Sequence, residues 1–89
     1  MRQNLVIIGA GGLAREVFDL FTELHSSNND EIIFKGFLSD VPSNIEDFGY
    51  PKVISTVTDY MPDTNDVFLC AIGNPMHRYS TVQKIKVRG

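Results

Sequence analysis

The stretch that decides the fold is Asn4–Val17, NLVIIGAGGLAREV. Its apolar run Leu5–Ile8 is typical of a strand that is buried in a parallel sheet. The run leads directly into glycines, and these lead into residues with helical spacing. A glycine turn at the start of a helix presents unpaired backbone N–H groups at the positive end of the helix dipole, where anions bind.

The glycine spacing fits the dinucleotide-binding pattern G-x-G-x-x-G/A. In this pattern Gly9 makes the tight turn, Gly11 allows close approach of a ligand, and Ala14 allows close packing of helix on strand. A motif this short also occurs in tight turns with a purely structural role. The pattern favours a nucleotide or phosphate site, and the structural turn stays open as the alternative.

A strand–helix–strand unit is predicted for the first 38 residues. Apolar residues recur at helical spacing over Leu13–Leu24, and the helix is expected to end near His25, where a run of turn-forming residues begins. Ile32–Leu38 has the composition of a second strand. Two parallel strands joined by a helix form a βαβ unit with a right-handed crossover.

The second half of the chain predicts two more strands. A short strand is expected near Val53, and Thr56–Asp59 resembles a capping box that would open a short helix. Asp66–Ile72 is almost uniformly apolar and is predicted to be central in the sheet, and a helix is expected from Asn74 toward Val87. The predicted fold is α/β, a small Rossmann-like three-layer domain with a parallel sheet of about four strands. Its first strand should lie between the second strand and the Asp66–Ile72 strand.

Length and charge limit the possible partners. The 89 residues suffice for one small domain, residues 1–89, and the net charge of −3 lacks the clustered cations that nucleic-acid binding needs. No apolar run approaches the ~20 residues needed to cross a bilayer, and the N-terminus lacks a signal-peptide pattern. We therefore expect a cytoplasmic domain with no nucleic-acid or membrane partner.

Cysteine and histidine content gives no sign of a metal centre. The single cysteine, Cys70, lies within an apolar strand, where a thiol most often packs as a small hydrophobe. Two histidines are too few for a site that commonly needs three or four ligands. No metal and no cysteine chemistry are predicted.

Several polar residues follow the predicted strands at the sheet edge where α/β proteins bind ligands. Asp40 follows the second strand and would either hold a ribose hydroxyl or open a turn and cap the following segment. Gly73 and Asn74 follow the last predicted strand, and Asn74 is a good N-cap. Arg78 could reach an anionic ligand from that helix, or could simply be solvated.

These motifs together resemble the N-terminal domain of bacterial sugar acetyltransferases of the PglD and NeuD type, the sialic acid O-acetyltransferase family. The stretches that carry the resemblance are VIIGAGGLAREV, GFLSD, GYPKVI, and VFLCAIGNP with Arg78 following. In that family the N-terminal domain binds the nucleotide-sugar acceptor. A following left-handed β-helix of hexapeptide repeats binds acetyl-CoA and carries the catalytic base.

The resemblance implies a UDP-sugar ligand, such as a UDP-amino sugar, and a role for each part of the site. The amides of Gly11, Gly12 and Leu13 would receive the diphosphate, Asp40 would meet the nucleoside, and the Gly73 turn would form the opposite wall. The predicted substrate-binding residues are Gly9, Gly11, Gly12, Leu13, Asp40, Gly73, Asn74 and Arg78. No catalytic residue and no bound cofactor are assigned to these 89 residues.

The resemblance places acetyl-CoA, the catalytic base and a trimeric assembly with the β-helix domain, beyond Gly89. These 89 residues alone are therefore expected to bind acceptor without acetyltransferase turnover. Two other interpretations remain: a fragment of an NAD(P)-binding oxidoreductase, and a non-catalytic regulatory or structural module. The last is favoured by Leu13, where many family members carry His, and by Ser39, where the family often has a second acid.

Overall fold

The computed structural model describes residues 3–24 and 31–73. Its elements are β1 (Gln3–Ile8), α1 (Gly12–Leu24), β2 (Ile32–Leu38), a 3-10 helix (Ile45–Phe48), β3 (Val53–Ser55) and β4 (Asp66–Cys70). The four strands form one parallel sheet in the order β3-β2-β1-β4. The predicted Rossmann-like α/β fold is confirmed, with strands close to the four predicted positions. The helix predicted from Asn74 lies outside the described residues.

The first strand holds the centre of the sheet. β1 pairs with β2 on one side and with β4 on the other, both in parallel. Its residues Leu5, Val6, Ile7 and Ile8 are at most 4% exposed. Burial on both faces explains why this strand is continuously apolar rather than alternating.

Helix α1 covers one face of the sheet through an aromatic cluster. The ring of Phe18 lies 4.8 Å from that of Phe34 in β2, and 5.8 Å from that of Phe37. Ala14 is completely buried in the same core, so the first turns of α1 lie close to the strands. The predicted packing role of Ala14 is confirmed.

A bulge in β2 arranges this cluster. Leu5 pairs with Phe34 and the next residue, Val6, pairs with Gly36, so Lys35 is an extra residue in β2. Residues three apart in a regular strand point to opposite faces, but the bulge brings Phe34 and Phe37 to the same face, with ring centroids 4.9 Å apart. The apolar run of β2 gave no sign of this irregularity.

The opposite face is covered by the segment between β3 and β4. Val57 and Tyr60 are buried there against Val6 and Ile8. The predicted capping box is half present, because the Asp59 N–H donates to the Thr56 hydroxyl at 3.0 Å. The prediction of a short helix after this box is wrong, because residues 57–59 form only a single turn. Pro62 follows soon after and has no N–H with which to continue a helix.

Strand β4 does not have the central position predicted for it. Among the described residues it pairs only with β1, at one end of the strand order. Phe68 and Cys70 pack on the core that contains Tyr60, whereas Val67 and Leu69 are 36% and 45% exposed. An uninterrupted apolar run therefore did not distinguish a strand with one exposed face from one buried on both faces.

Candidate functional site

A tight glycine turn closes the carboxyl end of β1. Gly9 donates its N–H to the Leu38 carbonyl at 2.7 Å, and Ala71 donates to the Ile8 carbonyl at 2.8 Å. Gly9 has a φ of +115°, and a Cβ there would lie 2.7 Å from the Ala71 carbonyl oxygen. Only glycine fits this backbone, because a side chain would meet both conformational strain and a main-chain atom.

Two residues later the chain opens to solvent at the start of α1. The carbonyl of Gly11 accepts the N–H of Arg15 at 3.1 Å, so Gly11 is the N-cap residue. It has no side chain to cap the first amides of the helix, which lack intrahelical acceptors. Among residues 3–24 and 31–73, a Cβ on Gly11 would meet nothing within 4 Å. The amides of Gly12 and Leu13 therefore begin the helix beside open space.

A cleft of about 580 Å³ lies at this edge of the sheet, between the carboxyl ends of β2, β1 and β4. Its lining residues are Gly9, Ala10, Gly11, Gly12, Leu13, Leu38, Ser39, Asp40, Val41, Val57, Ala71, Ile72 and Gly73. Six of the eight residues predicted to bind substrate are in this lining. The other two, Asn74 and Arg78, lie outside the described residues.

The loop after β2 is tied to its own turn and to the glycine turn. The Ser39 hydroxyl donates to the Val41 carbonyl at 2.9 Å and accepts the Val41 N–H at 3.3 Å. The Ser43 hydroxyl donates to the Ala10 carbonyl at 3.4 Å. Ser39 is thus occupied in shaping the loop.

Asp40 has a structural partner within the cleft wall. One carboxylate oxygen accepts the Thr58 N–H at 3.1 Å, and the other accepts the Thr58 hydroxyl at 3.3 Å. Asp40 thus bonds to the turn at residues 57–59, which differs from the sequence-based alternative that it opens a turn or caps the segment directly after it. The same side chain lines the cleft.

The walls of the cleft are largely apolar. Leu38 and Val57 are buried at its base, and Leu13 and Val41 are 41% and 66% exposed beside it. A site that combines backbone donors at one end with apolar walls suits a ligand that has an anionic part and a flat, less polar part.

At the opposite, amino-terminal edge of the sheet lies a cluster that the sequence did not reveal, the Asp66 cluster. The fully buried side chain of Asp66 accepts hydrogen bonds from Lys35 at 3.1 Å, from Asn4 at 3.3 Å and from the Asp63 N–H at 2.9 Å. The Tyr60 hydroxyl donates to it as well. These donors come from β1, the β2 bulge and the loop before β4, so no local pattern could have shown them.

The cluster stabilises the ionisation states found at neutral pH. Burial raises the pKa of Asp66, but the hydrogen bonds from the Asp63 N–H, Tyr60, Lys35 and Asn4 outweigh it, so the pKa lies below its ordinary value of 3.8. Burial lowers the pKa of Lys35, but hydrogen bonds to Asp63, Tyr60 and Asp66 outweigh this effect, so the pKa lies above its ordinary value of 10.5. Burial and the bond to Asp66 raise the pKa of Tyr60.

A second, shallower groove of about 430 Å³ runs along α1 from the cleft. It is lined by Gly12, Arg15, Glu16, Asp19 and Tyr50. The Tyr50 hydroxyl donates to the Asp19 carboxylate at 2.8 Å, and this bond raises the pKa of Tyr50. Apart from Gly12, these residues have no role predicted from the sequence, and they come together only when the Tyr50 segment folds against the helix.

Other site types find no support in the described part of the chain. Within residues 3–24 and 31–73, no three His, Cys, Asp or Glu side chains are grouped as metal ligands. Cys70 is half-buried and packs against the core that contains Val6, as predicted. In the same residues, no helix has the length and apolar character required to span a bilayer.

Residues 4–85 match the family described as the PglD N-terminal domain. The match includes the glycine turn, the loop after β2 and all four strands apart from the first residue of β1. No curated protein and no solved structure shows significant similarity to the chain.

Proposed function

Because the chain belongs to the PglD N-terminal domain family, we propose that it binds the nucleotide-sugar acceptor of a sugar O- or N-acetyltransferase. The observation that carries the proposal is the cleft at the carboxyl edge of the sheet, which joins the glycine turn to the open first turn of α1. Ligands of open α/β sheets bind in such a crevice beside the carboxyl ends of the strands.

The diphosphate of the acceptor would lie at the start of α1. The amides of Gly11, Gly12 and Leu13 supply N–H donors, and the helix dipole favours negative charge at this end. Gly11 allows the ligand to approach the main chain, because it adds no side-chain atoms to the open space around it.

The nucleoside would extend toward the loop after β2. Leu38, Val41 and Val57 offer apolar surface for the base, and Asp40 provides carboxylate oxygens next to them. Gly73 lies on the β4 side of the cleft and leaves room for the sugar. The sugar amino or hydroxyl group would then be presented to acetyl-CoA held by a hexapeptide-repeat domain, in a cytoplasmic trimer.

Calorimetric titration of the 89-residue chain with UDP-N-acetylglucosamine, UDP and NAD tests this proposal. We expect UDP and the UDP-sugar to bind, and NAD to bind at least tenfold more weakly. Tighter binding of NAD would favour an oxidoreductase fragment. Absence of binding by all three would favour a non-catalytic module, and either result would contradict the proposal.

A further inference from the structure

The guanidinium of Arg15 lies beside the first turn of α1. Helical side chains point back toward the amino end of the helix, and Arg15 is the fourth residue of α1. A Cβ placed on Gly12 would be 3.7 Å from Nη2 of Arg15. The cation is thus directly next to the amides that begin the helix.

Phe48 holds the guanidinium in this position. The Arg15 Cζ atom lies 4.2 Å from the centroid of the Phe48 ring. A cation–π contact uses the flat face of the guanidinium and leaves its edge N–H groups available for an acceptor. Phe48 belongs to the 3-10 helix, which is anchored by the buried side chain of Ile45 in the core under α1.

The chain supplies no acceptor for those N–H groups among the described residues. Over residues 3–24 and 31–73, both ion pairs belong to Lys35, and no hydrogen bond engages the Arg15 guanidinium. Glu16 and Asp19 line the groove farther along the helix. Their negative charge disfavours an anion there, so the favourable place for one is the end of the groove at Gly12, which also lines the cleft.

We infer that Arg15, positioned by Phe48, is a specificity residue that binds the second phosphate of a nucleoside diphosphate ligand. The inference rests on the proposed function, which places one phosphate on the first amides of α1. A guanidinium beside those amides can donate two parallel hydrogen bonds to the neighbouring phosphate. The cleft would therefore select nucleoside diphosphates and their sugar esters over monophosphates.

Binding of UDP and UMP to the wild-type chain and to Arg15→Gln tests the inference. We expect the wild type to bind UDP at least tenfold more tightly than UMP. Arg15→Gln should lose about tenfold in UDP affinity and keep its UMP affinity within about twofold, since one charge-assisted contact is removed. Lys52→Gln removes an equal charge at an exposed site outside both pockets, and it should leave both affinities unchanged.

Two further variants distinguish the contribution of the Arg15 charge to UDP binding from that of the shape and position of its guanidinium. Arg15→Lys keeps the charge without the planar fork, and Phe48→Leu removes the stacking ring at a residue that is 55% exposed. Both should give UDP affinities between those of wild type and Arg15→Gln, with cooperative unfolding retained. An unchanged UDP-to-UMP ratio in Arg15→Gln would overturn this inference alone. Failure of the wild type to bind either nucleotide would overturn the proposed function together with it.

Discussion

The two edges of the sheet differ in whether the chain supplies hydrogen-bond partners for their polar groups. At the amino edge, the chain itself supplies the partners of the buried Asp66 carboxylate, from Lys35, Asn4, Tyr60 and the main chain of Asp63. At the carboxyl edge, the first turn of α1 begins beside a cleft of about 580 Å³ with a glycine at its N-cap. The polar groups at the amino edge are hydrogen-bonded within the chain, whereas the first amides of α1 at the carboxyl edge are available to a ligand.

This difference shows why a group of charged residues is a poor guide to function by itself. The Asp66 cluster contains two acids, a lysine and a tyrosine, yet their hydrogen bonds are directed at one another. Buried polar groups that are satisfied internally stabilise a fold. The candidate site is formed instead by glycines and apolar side chains, whose contribution is space and exposed main chain.

The largest loss of stability is expected from a substitution in the glycine turn. Gly9→Ala should lower the free energy of unfolding by about 3–5 kcal/mol, because strain at positive φ and overlap with the Ala71 carbonyl add together. Gly11→Ala is the matched control two residues away, where the added methyl group meets no atom of the described part of the chain, and it should cost less than about 1 kcal/mol. Denaturant unfolding measures both. Equal losses would contradict the division of roles between the two glycines.

Removing the negative charge of the Asp66 side chain should cause the next largest loss of stability. Asp66→Asn keeps the size of the buried side chain but weakens its bonds to Lys35 and Tyr60, which should cost about 2–4 kcal/mol. Asp63→Asn is the control, because its side chain is 70% exposed in its pair with Lys35 and should contribute less than about 1 kcal/mol. Nucleotide affinity should be unchanged in both variants, since the cluster lies at the other edge of the sheet.

The lowered pKa of Asp66 determines how the stability of the fold should depend on pH. The pKa of Asp66 is lower in the folded chain than its ordinary value of 3.8. Its contribution to stability is therefore complete at pH values well above 3.8 and is lost as the pH falls through the lower, folded-state pKa. Unfolding measured from pH 6 to pH 2 should show a smaller loss of stability in Asp66→Asn than in wild type. Parallel curves would place the acid sensitivity in other carboxylates.

Sequence patterns predicted the elements that depend on neighbouring residues. Leu5–Ile8, the glycine turn and the spacing over Leu13–Leu24 gave β1, the turn and α1, because burial and helical period act over a few residues. The position of β1 between β2 and β4 was also predicted, from the rule that the ligand crevice lies where the strand order reverses, but the place of β3 beside β2 was not. The same patterns also identified six of the thirteen residues that line the cleft.

The features that were missed depend on residues distant in sequence. Lys35 forms a bulge in an apolar strand and meets Asp66 across 31 positions. The contact of Arg15 with Phe48 requires the 3-10 helix to fold against α1. The exposure of Val67 and Leu69 depends on what covers β4, and an apolar run carries no information about that.

Two variants with smaller expected effects distinguish a structural role of Asp40 from a role in ligand binding. Asp40→Asn and Thr58→Val both weaken the hydrogen bonds across the cleft wall, and each should cost about 0.5–1.5 kcal/mol in unfolding. If Asp40 also contacts the nucleoside, only Asp40→Asn should lower affinity for UDP, by about tenfold. Equal affinities in the two variants would limit Asp40 to capping the turn at Thr58.

The central claim is that the open main chain at Gly11 is where the ligand binds, and calorimetry of Gly11→Val with UDP tests it most directly. The first carbon of the added side chain meets no atom of residues 3–24 and 31–73, so the chain should unfold cooperatively with a loss of only about 1 kcal/mol. We predict that UDP binding falls at least tenfold in this folded variant, and by a smaller factor in Gly11→Ala. An unchanged UDP affinity in folded Gly11→Val would contradict the account and remove the ligand from the glycine turn.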